Sequence, residues 1–221
     1  MNTLITKKLS SSHLDLIKSW GWHYDSIEAL DITPVEVDSI PQASDAWIIS
    51  SRNSWHAVKT FIHLAPGIIY CIGTWMSDAL KKTGTESEIR CFENMKELVR
   101  EVSRQNMRHL LYFCGDHHRD ELERGLKDRP VTVEKVITHK SKLAFPSLEK
   151  SYDVIFVFSP RSVESLMKNN VFSDETIFAC IGPMTAAYLN EHGIVNTFYA
   201  SYPDSKILLT EFHDSKSALK F

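Results

Sequence analysis

The fold is decided by a stretch that the chain contains twice, Cys71-Ile-Gly-Thr-Trp-Met-Ser-Asp-Ala-Leu-Lys-Lys-Thr-Gly84 and Cys180-Ile-Gly-Pro-Met-Thr-Ala-Ala-Tyr-Leu-Asn-Glu-His-Gly193. A second pair precedes it, Asp45-Ala-Trp-Ile-Ile-Ser-Ser-Arg-Asn-Ser-Trp55 and Asp153-Val-Ile-Phe-Val-Phe-Ser-Pro-Arg-Ser-Val163. The two copies are 108 residues apart in the second pair and 109 in the first, so they stay in register. A repeat of this length is domain-sized and too long for a solenoid unit.

Length and composition set the class of protein. A chain of 221 residues can form two domains of about 100 residues each. The formal charge of −3 argues against general binding to nucleic acid or to a membrane surface. There is no apolar run near the ~20 residues of a membrane span, and the first residues do not form a secretory signal. The four cysteines have no CxxC or zinc-ligand spacing, which favours a reduced, cytoplasmic protein and predicts no metal site.

Short apolar runs alternate with segments of helical period, a pattern typical of β-α units and a parallel sheet. Gly84 and Gly193 each follow such a helical segment, as glycines that end helices do. Strands are predicted near Leu4 and at Asp25–Ile32, Trp47–Ser50, Ile68–Ile72, Glu88–Phe92, Leu110–Cys114, Val131–Thr138, Val154–Phe158, Thr176–Ile181 and Val195–Tyr199.

Four segments resemble uroporphyrinogen-III synthases: Phe158-Ser-Pro-Arg-Ser-Val-Glu164, Ile181–Gly193, Ala200-Ser-Tyr-Pro-Asp-Ser-Lys-Ile-Leu208 and Leu111-Tyr-Phe-Cys-Gly-Asp-His-His-Arg-Asp-Glu-Leu122. The family pattern is a strand ending in Ser-Pro, then Ile-Gly-x-x-Thr-Ala with a later glycine, then Ala-x-x-Pro. The resemblance is most specific over residues 150–208 and weakest over the first 30. No single motif suffices, but their order and spacing are specific.

The resemblance implies an α/β fold of two similar parallel-sheet, flavodoxin-like α/β/α domains, joined by a two-stranded connector and with a cleft between them. One domain would be discontinuous, residues 1–33 plus 143–221. The other would be continuous, residues 34–142. The crossing strands would lie near residues 29–34 and 136–142. The repeat alone does not choose this assignment.

The implied substrate is hydroxymethylbilane, a linear tetrapyrrole with eight carboxylates. The family reaction expels the terminal hydroxyl as water and closes the ring with inversion of the terminal pyrrole. The enzyme's task is mainly one of orientation, and the family uses no cofactor. We therefore expect a small-molecule substrate, no nucleic-acid or membrane partner, and a monomer.

An acidic protein that binds a polyanion needs local hydrogen-bond donors, and helix N-termini supply them as backbone N–H groups. The strand-to-helix turns are therefore the expected substrate-binding sites. The candidates are Ser51, Arg52, Asn53, Gly73, Thr74, Gly115, Ser159, Arg161, Ser162, Gly182 and Pro183. Each has an alternative interpretation: the serines as helix caps, the glycines as tight turns and the arginines as solvated surface charges.

Two residues are the catalytic candidates. Thr185 matches the threonine of the family motif, with a hydroxyl bonded to its own helix as the alternative. His139 falls where the family often has a tyrosine that is favoured to assist loss of the hydroxyl, and a histidine can donate a proton near neutral pH. The alternative is an exposed strand histidine beside Lys140.

Two function classes remain open at this point. The first is the enzyme. The second is a catalytically silent family member that binds a tetrapyrrole or another polyanion as a sensor or interaction protein. The changed tyrosine, and Met76 at the first-half position equivalent to Thr185, favour the second; the free-standing length favours the first. A periplasmic solute-binding protein would need a signal sequence.

Overall fold

The structure, a computed structural model, describes residues 1–41 and 43–218. Its strands are β1 (Asn2–Ile5), β2 (His23–Ser26), β3 (Leu30–Pro34), β4 (Ala46–Ile49), β5 (Ile68–Ile72), β6 (Glu88–Phe92), β7 (His109–Gly115), β8 (Thr132–Leu143), β9 (Val154–Val157), β10 (Ile177–Cys180) and β11 (Thr197–Tyr199). Its α-helices are α1 (Ser11–Ser19), α2 (Trp55–Phe61), α3 (Thr74–Lys81), α4 (Met95–Val102), α5 (Glu121–Leu126), α6 (Pro160–Met167), α7 (Pro183–Glu191) and α8 (Ser205–Ala218). Short 3-10 helices, Arg52–Ser54 and Ile62–Leu64, flank α2. The expected mixed α/β fold with parallel sheets is confirmed.

The chain divides into two compact units. One consists of Met1–Asp31 with the described residues from Lys142 onward, and the other of Ile32–Ser141. The chain passes from one unit to the other within β3 and again within β8.

The first unit contains a five-stranded sheet in the order β11-β10-β9-β1-β2, and its neighbouring strands are parallel. Alternate residues of the central strand β9 face opposite sides, as the two-residue period of a strand requires. Ile155 and Val157 pack with side chains of α6 and α7, whereas Val154 and Phe156 pack with side chains of α1 and α8. Helices therefore cover both faces of this sheet.

The second unit contains a six-stranded sheet in the order β3-β8-β7-β4-β5-β6. The pairs from β8 to β6 are parallel. Trp47 and Ile49 of β4 face α2 and α3, and Ala46 and Ile48 face α4 and α5. When strands are matched in the register of the sequence repeat, β7, β8, β4, β5 and β6 have the same neighbours as β1, β2, β9, β10 and β11.

One predicted strand is wrong. The segment Asp25–Ile32 is two strands, because the chain changes its partner within it. The Ala29 N–H donates to the Thr6 carbonyl beside β1 (3.2 Å), and the Ala29 carbonyl accepts from the N–H of Ala144 at the end of β8 (3.1 Å). Alternation of apolar residues predicts an extended chain but carries no information on which neighbour the strand pairs with.

Candidate functional site

The predicted site residues lie at the carboxyl edge of the sheet within each unit. In a parallel sheet the carboxyl ends of neighbouring strands share one edge, where open α/β sheets bind ligands. Along the six-stranded sheet these residues are Ser51, Arg52 and Asn53 after β4, Gly73 and Thr74 after β5, Gly115 at the end of β7, and His139 opposite it on β8. Along the five-stranded sheet they are Ser159, Arg161 and Ser162 after β9, and Gly182, Pro183 and Thr185 after β10.

The turn after β4 carries a cation beside aromatic rings. Ser51 caps the 3-10 helix, and its hydroxyl accepts from the Asn53 N–H at 3.2 Å. The exposed Arg52 guanidinium lies over the Trp75 ring at 5.3 Å, and Trp55 meets that ring edge-on. Trp75 keeps 39% of its surface exposed. The contact with the Trp75 ring limits the positions of the Arg52 side chain and keeps its positive charge at the carboxyl edge of the sheet.

The turn after β5 depends on a backbone conformation that favours glycine. Gly73 has φ +84° and precedes the first residue of α3, Thr74, which is exposed. The Gly73 N–H donates to the Phe92 carbonyl at 3.0 Å, so this donor is already used. In the sequence repeat, Met76 corresponds to Thr185, and Met76 is buried in the core under α3.

The ring of His139, on β8, is buried against Gly115 at the end of β7. Only 8% of the residue's surface is exposed, so the alternative of an exposed strand histidine is wrong. The β7–β8 pairing shifts register between Cys114 and Gly115, and such irregularities re-aim side chains at sheet edges. A Cβ on Gly115 would lie 2.6 Å from His139 Nε2, so the ring occupies the place of a side chain at Gly115.

The imidazole favours its neutral form. Burial lowers the pKa of His139 below its usual value, the Asp116 carboxylate raises this pKa, and His56 lowers it. The net direction is downward, because burial has the largest effect. Sequence analysis missed His56, whose ring nitrogens lie 2.9 Å from the Asn53 carbonyl and 3.3 Å from the Val35 carbonyl.

The turn after β9 forms a reciprocal helix cap. The Ser162 N–H donates to the Ser159 hydroxyl and the Ser159 N–H donates to the Ser162 hydroxyl, both at 3.1 Å. These serines therefore have the geometry of the helix-cap alternative, and their N–H groups are used within the protein. Pro160 has no N–H and so supplies no donor to this turn. The Arg161 side chain is half-buried.

The turn after β10 is more open. Gly182 is extended, with φ −179°, and a Cβ there would have no heavy atom within 4 Å. Pro183 begins α7 and has no N–H, while Gly182 and Met184 have one each. Thr185 is only 2% exposed, and its hydroxyl makes no hydrogen bond within the described part of the chain. The alternative, in which the Thr185 hydroxyl bonds to its own helix, is therefore wrong.

Lys7 is a further cation that sequence analysis missed. It follows β1, the neighbour of β9, and its Nζ lies 2.8 Å from the Ser205 hydroxyl and 4.1 Å from the centre of the Phe158 ring. The repeat offset relates Lys7 to the Gly115–Asp116 turn after β7. This correspondence was available in the sequence and could have pointed to Lys7.

Within the described residues, no group of three or more His, Cys, Asp or Glu side chains is arranged to hold a metal ion. His118 contacts the Gly115 carbonyl, Glu123 and Lys135. No helix in the described residues is long and apolar enough to cross a membrane.

Residues 26–210 match the family model described as uroporphyrinogen-III synthase HemD. The chain belongs to the uroporphyrinogen-III synthase family. Its fold is similar to that of uroporphyrinogen-III synthetase from Helicobacter pylori 26695, with a TM-score of 0.69, 14% identity and 100% of each chain covered. It is also similar to a mutant uroporphyrinogen III synthase from the extremely thermophilic bacterium Thermus thermophilus, with a TM-score of 0.66, 16% identity and 100% and 99% of the two chains covered. No curated protein matches the sequence.

Proposed function

We propose that this protein is a uroporphyrinogen-III synthase, which converts hydroxymethylbilane to the type III isomer with loss of water and inversion of the terminal pyrrole. The observation that carries the proposal is Thr185. Its side chain stands at the N-terminus of α7 with 2% of the residue exposed, and its hydroxyl makes no hydrogen bond in the described residues, within a family match that includes the whole helix. A hydroxyl can both donate and accept, so one that makes no hydrogen bond within the protein can bind a ligand.

The proposal assigns substrate binding to the carboxyl edges of both sheets. Arg52, Arg161 and Lys7 bring positive charge to these edges, although the protein as a whole is acidic. Guanidinium groups bind carboxylates through paired hydrogen bonds, and helix N-termini add N–H donors without further charge. The Gly182 and Met184 N–H groups and the Thr185 hydroxyl would receive one carboxylate together.

The proposal also includes the two-domain architecture that the resemblance implies, with two similar flavodoxin-like domains and a two-stranded connector. The strand order supports it, because each sheet contains the order 2-1-3-4-5 in the register of the repeat. Backbone hydrogen bonds from Ala144 to Ala29 and from Val35 to Thr138 support an antiparallel pair of β3 and β8. The division at Asp31 and Ser141 lies within two residues of the boundaries expected from sequence.

The chemistry asked of the protein is positioning more than activation. The bilane closes by itself to the symmetric isomer, so an enzyme must hold the terminal pyrrole where its substituted carbon attacks. Positioning contributes ~7–11 kcal/mol in favourable cases, and one acid or base about 10²–10⁴-fold. The cationic side chains at the two edges and the N–H groups of Gly182 and Met184 suit the first role, and His139 is the candidate for proton transfer.

The test is to supply hydroxymethylbilane to the purified protein, oxidise the products and separate the uroporphyrin isomers. We expect the type III isomer, with no added metal or cofactor, at a rate proportional to protein concentration. Heat-denatured protein is the control for spontaneous closure. If only the type I isomer forms while uroporphyrin binds the folded protein, the chain is a silent binding protein and the enzymatic proposal fails.

A further inference from the structure

His139 begins a chain of hydrogen bonds that ends on backbone carbonyls. The ring Nδ1 lies 2.9 Å from the Thr138 hydroxyl oxygen. The Thr138 hydroxyl donates toward the Ser54 hydroxyl at 2.9 Å and the Cys114 carbonyl at 3.1 Å. The Ser54 hydroxyl in turn donates to the Phe113 carbonyl at 3.4 Å. Thr138 and Ser54 are fully buried, so water does not complete this network.

The carbonyl ends favour one direction of donation along the chain. A carbonyl oxygen only accepts, so the hydroxyls point toward Phe113 and Cys114. Thr138 has a single hydroxyl proton, and either the Ser54 hydroxyl or the Cys114 carbonyl takes it. The contact between Thr138 and His139 is then satisfied when the ring donates through Nδ1–H to a lone pair of the Thr138 oxygen.

Thr138 lies at the shift in strand register. The pairing changes from Ile137 to His139 between Cys114 and Gly115, so the residue passed over is Thr138. Its hydroxyl contacts the Cys114 carbonyl at 3.1 Å. The same hydroxyl thus links the irregular point of the strand pair to the imidazole.

We infer that Thr138 positions His139 as the Nδ1–H tautomer, which leaves the Nε2 lone pair free to accept a proton in the reaction proposed above. This inference rests on the proposed function for its consequence, but the tautomer is a property of the free protein. Nε2 makes no hydrogen bond within the described residues. His139 is then a base in its resting state, whereas the sequence interpretation made it an acid.

The charges around the ring support a neutral resting state. Burial lowers the pKa of His139, and His56, beside the turn after β4, lowers it further. Asp116, at the end of β7, is the facing acidic group and opposes them with a smaller effect. At neutral pH the imidazole is thus mainly uncharged, and a neutral Nδ1–H ring accepts at Nε2.

A base has a defined place in the first step. As the C–O bond of the terminal hydroxymethyl group breaks, Nε2 takes the proton of that pyrrole's N–H. The N–H electron pair becomes the ring C=N bond, and the ring electrons form the exocyclic C=C bond of the azafulvene. The imidazolium then returns its proton to the departing hydroxide, so the products are water, azafulvene and neutral His139.

The tautomer can be measured by long-range ¹H–¹⁵N correlation spectroscopy on protein labelled with ¹⁵N-histidine, without substrate. The His139 signals are identified by their loss in His139→Gln. We expect a protonated-type Nδ1 and an unprotonated Nε2 above the pKa of the ring. The opposite pattern, with the proton on Nε2, overturns the inference whether or not the protein makes the type III isomer.

The role of Thr138 is tested with Thr138→Val, which keeps the shape and removes the acceptor. We expect the single tautomer to become a mixture and kcat to fall about tenfold with KM within about twofold, because the ring is less often in the accepting form. Thr138→Ser keeps the hydroxyl, so we expect it to have a single tautomer and the kcat of wild type. Thr176→Val is the matched control, since it removes another buried threonine hydroxyl that donates to a carbonyl, at the opposite end of β10.

Two outcomes separate this inference from the proposed function. A single Nδ1–H tautomer and an unchanged kcat in folded Thr138→Val would remove Thr138 from the positioning role. The expected tautomer in a protein that yields only type I product would leave the ring geometry correct and reject the enzymatic proposal. Should Thr138→Val not fold, the wild-type tautomer and the Thr138→Ser rate still decide the inference.

Discussion

At the carboxyl edge of the six-stranded sheet an imidazole is enclosed between a shifted strand and a glycine, whereas at the same edge of the five-stranded sheet hydroxyl groups stand at two helix N-termini. His139 titrates and is held by Thr138. Ser159, Ser162 and Thr185 carry neutral hydroxyls, and Lys7 and Arg161 follow the neighbouring strands β1 and β9 of the same sheet. Under the proposed function, equivalent strand neighbours therefore support proton transfer and anion binding at one edge and anion binding alone at the other.

The glycines of the two edges sharpen this contrast. Gly115 faces the His139 ring, so it has no room for a side chain. Gly182 faces open space and has a backbone conformation that any residue adopts. Contacts within the protein explain why residue 115 is a glycine, but they do not explain why residue 182 is one. A glycine at 182 is expected if a ligand approaches the backbone there.

The largest effect on turnover is expected from Gly182→Val. The protein has room for the side chain, so the thermal midpoint should change little, but the branched group would block a carboxylate from the α7 N-terminus. We expect turnover to fall more than about a hundredfold, beyond the loss of one proton-transfer group. Gly67→Val is the matched control, because Gly67 also has open space and an ordinary φ but precedes β5 at the opposite edge. Normal turnover in folded Gly182→Val would remove this turn from the site.

Gly115→Ala should weaken both stability and turnover. The added Cβ would overlap the imidazole, and relief requires movement of the ring or of β8. Overpacking of this kind costs about 1–3 kcal/mol. We expect a lower urea midpoint and a loss of turnover approaching a hundredfold, with a changed His139 NMR signal. An unchanged His139 signal would mean that the ring does not occupy the space beside Gly115.

Removing single reactive groups should do less. We expect His139→Phe and Thr185→Val each to slow turnover by at most about a hundredfold, since water can replace either group and positioning remains. Single-turnover measurements with a uroporphyrin binding assay separate chemistry from affinity. His139→Phe could prove inactive although it folds and still binds uroporphyrin. Catalysis would then depend on His139 alone, and the proposed distribution of roles between the two edges would be wrong.

The smallest effect is expected on the pH dependence of the free energy of unfolding. The pKa of His139 is lowered in the folded protein, so the unfolded chain binds more protons as the solution is acidified. The neutral His139 ring contributes to the free energy of unfolding above the pKa of histidine in the unfolded chain, about 6.5. This contribution is lost as the pH falls through the pKa of His139 in the folded protein. We expect the urea midpoint of wild type to fall more steeply below about pH 6.5 than that of His139→Phe. Parallel curves would contradict the burial effect.

The sequence allowed the local parts of this arrangement to be predicted, and it missed those that depend on distant neighbours. The α/β class and the turn glycines follow from periodicity and from the repeat. The Ser159–Ser162 cap lies within one helical turn, so it was available as an alternative. The enclosure of His139 depends on Gly115 and on a hydroxyl network that reaches Ser54, 84 residues from Thr138. No pattern local to β8 contains that information.

The arrangement of β1 has a consequence for folding. Its other neighbour besides β2 is β9, and the Thr6 N–H meets the Phe156 carbonyl 150 residues away. The six-stranded sheet draws all its strands from β3 to β8, so its long-range pairings close shorter loops. Distant pairings are slow to form, and synthesis proceeds from the N-terminus. We expect the sheet that contains the first strand of the chain to be the later of the two to form, with β1, α1 and β2 waiting on the ribosome until β9 emerges.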